Sequence, residues 1–265
     1  MQFAKVNGVT LHYQVVAAPE DKPTLVFSNS LGTDFRIWRD VIVRLIGDCS
    51  IVLYDKRGHG LSDTGDHPYK VEDHAEDLAA LLDHLGISNA VVCGLSVGGL
   101  IAQSLYHERP DLVSALILCC TAAKIGDEKM WPDRIANVTR DGIAPYVDGI
   151  MDMWFTPDFH ANRGDELQGY KNMLSRVPID GYLGTCAALR DADLRSQALE
   201  IKVPAICISG DQDGSTPPEL VLSTAKLIPD CRYEMIKDSA HIPCVEQPEI
   251  LVEVIKAFLA DAEIG

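Results

Sequence analysis

The sequence is short of positive charge. Its 265 residues carry 23 Lys plus Arg against 39 Asp plus Glu, a formal net charge of −16. Such a surface repels phosphate backbones and anionic lipid headgroups, so nucleic-acid and membrane partners are not expected. Long apolar runs are also missing: none approaches the roughly 18 residues that span a bilayer. The opening "MQFAKVNGVT" lacks a basic stretch leading into an apolar one, so no secretory signal is expected. Among the 8 cysteines there is no C-x-x-C pair, the spacing most zinc sites use. Most cysteines sit inside apolar runs such as "LILCC" and "AICIS", as small buried hydrophobes do. Free thiols in a reducing cytoplasm, with no metal, are the expectation. No internal repeat and no low-complexity tract is present.

What is there fits a soluble globular protein. Hydrophobic residues make up 47 % and charged residues 23 %, enough to build one large α/β domain or two small ones. Short runs rich in Val, Ile and Leu ("LVF" before Ser28, "SIVLYD", "AVVCG", "ALILCC", "PAICISGD") read as strands buried on both faces. Helical patterns alternate with them. "VEDHAEDLAALLDHLG" places Ala75, Leu78, Leu81, Leu82 and Leu85 at helical spacing and stops at Gly86, and "PEILVEVIKAFLADA" starts on Pro248. That alternation implies βαβ units and a mainly parallel sheet. At the start, "FAKVNGVTLHYQVV" reads as an antiparallel hairpin turning at Asn7-Gly8. Residues 122–192 interrupt the pattern with short helices broken by Gly and Pro. They read as a helical insertion between core parts 1–121 and 193–265, either with its own small core or capping the strand ends where α/β sheets bind ligands.

One stretch asks for chemistry. "VVCGLSVGGLIAQ" places Ser96 in a G-x-S-x-G turn between a strand and a helix, the context that turn needs to mean anything. Glycines there remove Cβ atoms that would collide, and the hydroxyl is presented at a helix N-terminus. Such a serine needs a base and an orienting acid, in chain order Ser, acid, His. After Ser96 come only His107, His160 and His241. His107 falls in the following helix and His160 in the helical insertion. His241 falls in the loop "KDSAHIPCVEQPE" before the last helix, from which a base can reach back. A lone loop histidine is ordinarily solvated, but order and position favour a base here. "GDQDGSTPP" offers Asp211 and Asp213; Asp213, further into the loop, is expected to accept the Nδ1 hydrogen of His241, with Asp211 as the alternative. Two N–H donors must meet the oxyanion. The Val97 amide is one, and Leu31 in "SNSLGTD" is the best candidate for the other, with Ser30 adding a hydroxyl to the pocket.

Taken in order, "SNSLGTD", "YDKRGHGLSD", "GLSVGG", "GDQDGSTPP" and "AHIPCVEQP" resemble the α/β-hydrolase superfamily along essentially the whole chain. The resemblance implies a mainly parallel eight-stranded sheet flanked by helices, with a helical cap. It also implies that Asp55 and Arg57 are scaffold and that no metal or organic cofactor is required. Within the superfamily, "NSLGTD", "GLSVGGLIAQ" and the cap start "CTAAKIGDEKMWPDR" look like the 3-oxoadipate enol-lactonases. Esterases, C–C bond hydrolases, perhydrolases and non-catalytic ligand receptors share most of these words. The lactone the resemblance implies carries a carboxylate, which a chain of net charge −16 must meet with a local cation. Arg134, beside Trp131 as an apolar wall, is the candidate, though a solvated helix arginine is the plainer expectation. Trp131 and Trp154 read first as cap-core residues. The sequence leaves the oligomeric state open.

Overall fold

A computed structural model of the chain describes residues 1–19 and 21–264. Eight strands form one sheet: β1 (Gln2–Val6), β2 (Val9–Val16), β3 (Thr24–Ser28), β4 (Ser50–Tyr54), β5 (Ala90–Leu95), β6 (Val113–Cys119), β7 (Ala205–Gly210) and β8 (Arg232–Ile236). Their spatial order is β1-β2-β4-β3-β5-β6-β7-β8. The hairpin turns at Asn7 and Gly8, which both take positive φ, and β2 runs antiparallel to β4. All remaining pairs are parallel. The composition explains the difference. β5 and β7 are buried at every residue, as the runs "AVVCGL" and "AICISG" require. β1 buries only Ala4 and leaves most of its residues exposed, as an edge strand does.

Helices α1 (Arg39–Leu45), α2 (Val71–Leu85) and α3 (Val97–Glu108) connect the first parallel strands. α2 buries Val71, Ala75, Leu78, Leu81 and Leu82 and ends on Gly86 in the left-handed region at φ 67°. The same face also buries His74 and Asp77, which apolar periodicity does not anticipate. Between β6 and β7 lie α4 (Met130–Asp141), α5 (Val147–Trp154), α6 (Pro157–Asn162), α7 (Gly164–Ser175), α8 (Ile179–Asp191) and α9 (Arg195–Ala198). α10 (Pro218–Ala225), α11 (Pro243–Glu246) and α12 (Pro248–Asp261) complete the chain. The inserted helices pack on one another, α4 on α8 and α5 and α6 on α7, and their buried residues run on into the core of the sheet. Trp131, Met151, Trp154, Phe155 and Leu174 belong to the same buried cluster as the sheet residues. No described helix is long and apolar enough to cross a membrane.

Topology fixes where a site can form. From β3 the chain passes through α1 to β4 on one side, then returns through α2 to β5 on the other. The loops leaving β3 and β5 therefore diverge and open a crevice at the carboxyl ends of those strands. "SNSLG" leaves β3 there, and Ser96 leaves β5.

Candidate active site

Ser96 follows β5 directly and caps α3, with φ 58° and ψ −120°. A non-glycine residue is strained in that region by on the order of 1–3 kcal/mol. Packing enforces the geometry. The Ser96 N–H donates to the Cys119 carbonyl at 3.0 Å, and the Ser96 carbonyl accepts the Thr121 hydroxyl at 2.6 Å. A Cβ on Gly94 would strike the Gly98 carbonyl, and one on Gly98 would strike the Ser28 carbonyl. Only glycine lets β3, β5 and α3 approach this closely. The Ser96 side chain makes no hydrogen bond among the described residues and lines a cavity that His241 also lines. The positive end of α3 lies beneath it.

His241 is 2 % exposed and stands on the loop between β8 and α11. Its Nδ1 is 2.9 Å from Oδ2 of Asp213, and its backbone N–H donates to the Trp154 carbonyl at 3.1 Å. Asp213 is itself saturated. Oδ1 accepts the N–H groups of Ser215 (2.7 Å) and Thr216 (2.9 Å), and Oδ2 accepts the Thr216 hydroxyl at 2.7 Å. Burial pushes this carboxyl up, but the neighbouring His241 and the Thr216 hydrogen bonds outweigh it and hold it below the usual carboxylate range. A carboxylate so held favours the imidazole tautomer with Nδ1–H toward the acid, and Nε2 has no hydrogen-bond partner among the described residues. Asp211 is engaged elsewhere: its Oδ1 accepts the Ser239 N–H at 3.2 Å and pins the loop. His107 lies on the surface, 4.0 Å from Glu200, and His160 Nε2 is 3.2 Å from the Met151 carbonyl.

Sequence reasoning missed several supports of this arrangement. Thr216 touches both Asp213 and His241, with Oγ1 3.3 Å from Nδ1. Its position three residues after Asp213 is the only signal the sequence carries. Cys120 has φ 43° and is fully buried; its sulfur and the ligand-type atoms of Asp213 and His241 all lie within 4.8 Å of one another. Burial, with the Asp213 charge next, pushes that thiol well up. Glu246 Oε1 accepts the Thr156 N–H (2.9 Å) and Oε2 the Ala240 N–H (2.7 Å), tying the insertion to the His241 loop. Burial holds the Glu246 carboxyl pKa above its ordinary value, and these backbone N–H groups offset only part of that rise. Glu246→Ala is expected to cost about 1.5–3 kcal/mol, because two backbone donors lose a charged acceptor. A thermal melt checks it, and an unchanged midpoint would refute the clamp.

The Leu31 and Val97 amides have no hydrogen-bond acceptor among the described residues. Val97 follows Ser96 directly, and Leu31, on the loop after β3, lines the same cavity as Ser96. The loop holding Leu31 is anchored from "YDKRGHG". Lys56 Nζ donates to the Ser30 carbonyl at 2.6 Å and the Asn29 carbonyl at 3.3 Å. His59 Nε2 accepts the Gly32 N–H at 3.0 Å. Asp55 accepts from His12 Nδ1 (2.8 Å) and from the N–H groups of Phe35 and Leu61 (both 3.0 Å). Arg57 forms a two-pronged buried ion pair with Asp77 of α2, at 2.5 Å for each contact. Neither Asp55 nor Arg57 lines the Ser96 cavity.

That cavity, about 90 Å³, is walled mainly by apolar side chains: Ile125, Met130, Trp131, Ile150, Met153 and Trp154 among them. Trp131 spends its indole N–H on the Ile125 carbonyl at 2.7 Å, so it offers a ring face only. Ser30 also lines the cavity, and its hydroxyl has no hydrogen-bond partner among the described residues. Arg134 is the one cationic residue in the lining. Its Nη1 donates to the Tyr182 hydroxyl at 3.1 Å, its guanidinium carbon lies 6.0 Å from the Trp131 ring centre, and no described carboxylate pairs with it. Larger surface cavities, of about 490 and 560 Å³, carry neither Ser96 nor His241.

Comparison with known proteins bears on the whole chain. A family model described as the alpha/beta hydrolase fold matches residues 23–248. A 3-oxoadipate enol-lactonase 2 of Acinetobacter baylyi is 35 % identical over 96 % of this chain and 94 % of its own length. A 3-oxoadipate enol-lactonase 1 of the same organism is 32 % identical over the same shares, 96 % and 94 %. The crystal structure of the enol-lactonase from Burkholderia xenovorans superposes with a TM-score of 0.94 at 34 % identity, covering 98 % of this chain and 100 % of that one. The sheet order, the strained serine between β5 and α3 and these matches agree, and the chain belongs to the α/β-hydrolase fold family.

Proposed function

We propose that this protein opens the ring of 3-oxoadipate enol-lactone by acyl transfer through Ser96, His241 and Asp213. The observation that carries the substrate class is Arg134: one guanidinium without a carboxylate partner among the described residues, in the wall of a mainly apolar cavity, on a chain of net charge −16. A neutral ester has no use for it, whereas a lactone bearing a carboxylate does. The relatives named as enol-lactonases, which match over nearly the full chain, support the same choice. On this reading residues 122–192 act as the cap that supplies Trp131 and Arg134, and Ser30 contributes its free hydroxyl to binding. The cysteines, all free, suit a reducing cytoplasm.

The chemistry follows from the parts. His241 Nε2 takes the Ser96 proton as Oγ attacks the ring carbonyl, and the resulting oxyanion faces the Leu31 and Val97 amides. Collapse reforms the carbonyl and breaks the bond to the ring oxygen. That oxygen leaves as an enolate, a better leaving group than a simple alkoxide; the proton held on His241 passes to it, giving the ketone and restoring the neutral imidazole. Because the ester is cyclic, both halves stay attached to Ser96. Water, deprotonated by His241, then attacks the acyl carbonyl and releases the oxo-dicarboxylate. The Ser96 Oγ to His241 Nε2 hydrogen bond absent in this structure forms as substrate docks.

Arg134→Ala is expected to lower kcat/KM for the anionic lactone about 10–100-fold, the value of one charge-assisted contact. A neutral ester such as p-nitrophenyl acetate should change little. Equal losses on both substrates would reject carboxylate recognition by Arg134.

A further inference from the structure

Lys56 is the most unusual charge in the protein. It is 1 % exposed, and no described carboxylate lies within ion-pair distance of its ammonium. Burying an amine without a counter-ion is costly, and burial lowers the Lys56 pKa to about 7 despite the pull of Asp55 and Asp34. The structure places this group under one loop only, with its protons on the carbonyls of Asn29 and Ser30.

The Ser30 carbonyl and the Leu31 N–H are two ends of one planar peptide unit. A strong donor on the carbonyl oxygen draws electron density along that amide. The N–H at the other end then becomes a stronger donor, the cooperativity seen in hydrogen-bonded chains. The next peptide is held from the same turn, because His59 Nε2 accepts the Gly32 N–H at 3.0 Å. That fixes a neutral imidazole with its Nδ1–H toward the Arg57 carbonyl at 3.2 Å. Burial and the Lys56 charge both keep His59 neutral. The ammonium and the neutral amine can each donate to the Ser30 carbonyl, the ammonium more strongly.

We propose that Lys56 is a positioning residue for the oxyanion site: its hydrogen bond to the Ser30 carbonyl orients and polarises the Ser30–Leu31 peptide, so that the Leu31 N–H binds negative charge better. The inference rests on the reading of Ser96 as nucleophile. It extends that reading because Lys56 does not line the substrate cavity and acts through a peptide that does.

The test uses Lys56→Met, which keeps an apolar stem of similar length, with Lys56→Gln as a second variant that keeps a neutral donor. Four quantities are read: kcat and KM on the best ester, affinity for n-butylboronic acid, the carbonyl stretch of a slowly hydrolysed acyl-enzyme, and the thermal midpoint. Removing an oxyanion donor outright costs about 10²–10³ in kcat, so weakening one is expected to cost on the order of 10–100-fold. KM should stay within about threefold, because the loss is confined to charge that develops in the transition state. Boronate affinity should fall in step with kcat, and the acyl carbonyl should stretch at higher frequency. Lys56→Gln should fall between wild type and Lys56→Met. Unchanged kcat and boronate affinity would overturn the proposal. So would a loss of kcat with the carbonyl stretch unmoved, since Lys56 would then be a structural staple only. Ser96→Ala, run alongside, separates the two readings. If Ser96→Ala retains turnover, the nucleophile assignment fails; if it loses turnover while Lys56→Met keeps it, only the Lys56 proposal fails.

Discussion

Replacing Ser96 with alanine is expected to lower kcat by about 10⁶-fold, the scale on which triad serines fail, while leaving the fold intact. The change removes one oxygen that makes no hydrogen bond among the described residues, so stability has little to lose. Backbone anchors at Ser96, from its N–H to Cys119 and from Thr121 to its carbonyl, do not involve that oxygen. The strained φ of 58° also remains in the alanine variant, since both residues carry a Cβ. Loss of turnover with an unchanged thermal midpoint is therefore the expected pair of results. Turnover within tenfold of wild type would mean that water attacks the ester directly and that the turn has another purpose.

Asp213→Asn is expected to lower kcat by about 10⁴-fold, the size of effect known for the corresponding change in the chymotrypsin triad. The carboxamide can present its NH₂ to Nδ1 of His241. The ring proton then moves to Nε2, and the atom facing Ser96 becomes a donor instead of a base. The contacts at Oδ1 with the Ser215 and Thr216 N–H groups can persist, so the loop should hold its shape. Asp211→Asn is the matched control. Asp211 meets the Ser239 N–H, not the imidazole, so its kcat should stay near wild type. Steady-state kinetics of both variants settle the pair, and equal losses would show that loop geometry, not His241 tautomer, governs the rate. Ionisation supports the assignment: the native pKa of Asp213 lies below its ordinary value. Its contribution to stability is therefore present above the usual carboxylate range and is lost only as pH falls through the depressed value.

Much of this was legible in the sequence because it rests on local pattern. The Val- and Ile-rich runs specify buried parallel strands, and "NGV" specifies the hairpin. G-x-S-x-G specifies a turn that glycine alone permits between β3, β5 and α3. What stayed hidden depends on partners far along the chain. Lys56 looks like a surface lysine until the Asn29 and Ser30 carbonyls are placed above it. Glu246 looks like a solvated helix end until Thr156 and Ala240 are brought to it from two other segments. Asp77 and His74 sit on the buried face of α2 for the same reason, the first to receive Arg57. Residues 122–192 were ambiguous between a self-contained insertion and a cap. Their helices pack both on one another and on the rest of the molecule, an arrangement that no helical periodicity encodes.

The most direct measurement is the absorbance of 3-oxoadipate enol-lactone on mixing with the purified protein. The expected result is a rapid, saturable loss of the enol chromophore, with kcat/KM well above that for p-nitrophenyl acetate and no loss above background in Ser96→Ala. A wild-type rate no faster than buffer, with simple esters hydrolysed normally, would contradict the proposed function and leave an esterase of unassigned substrate.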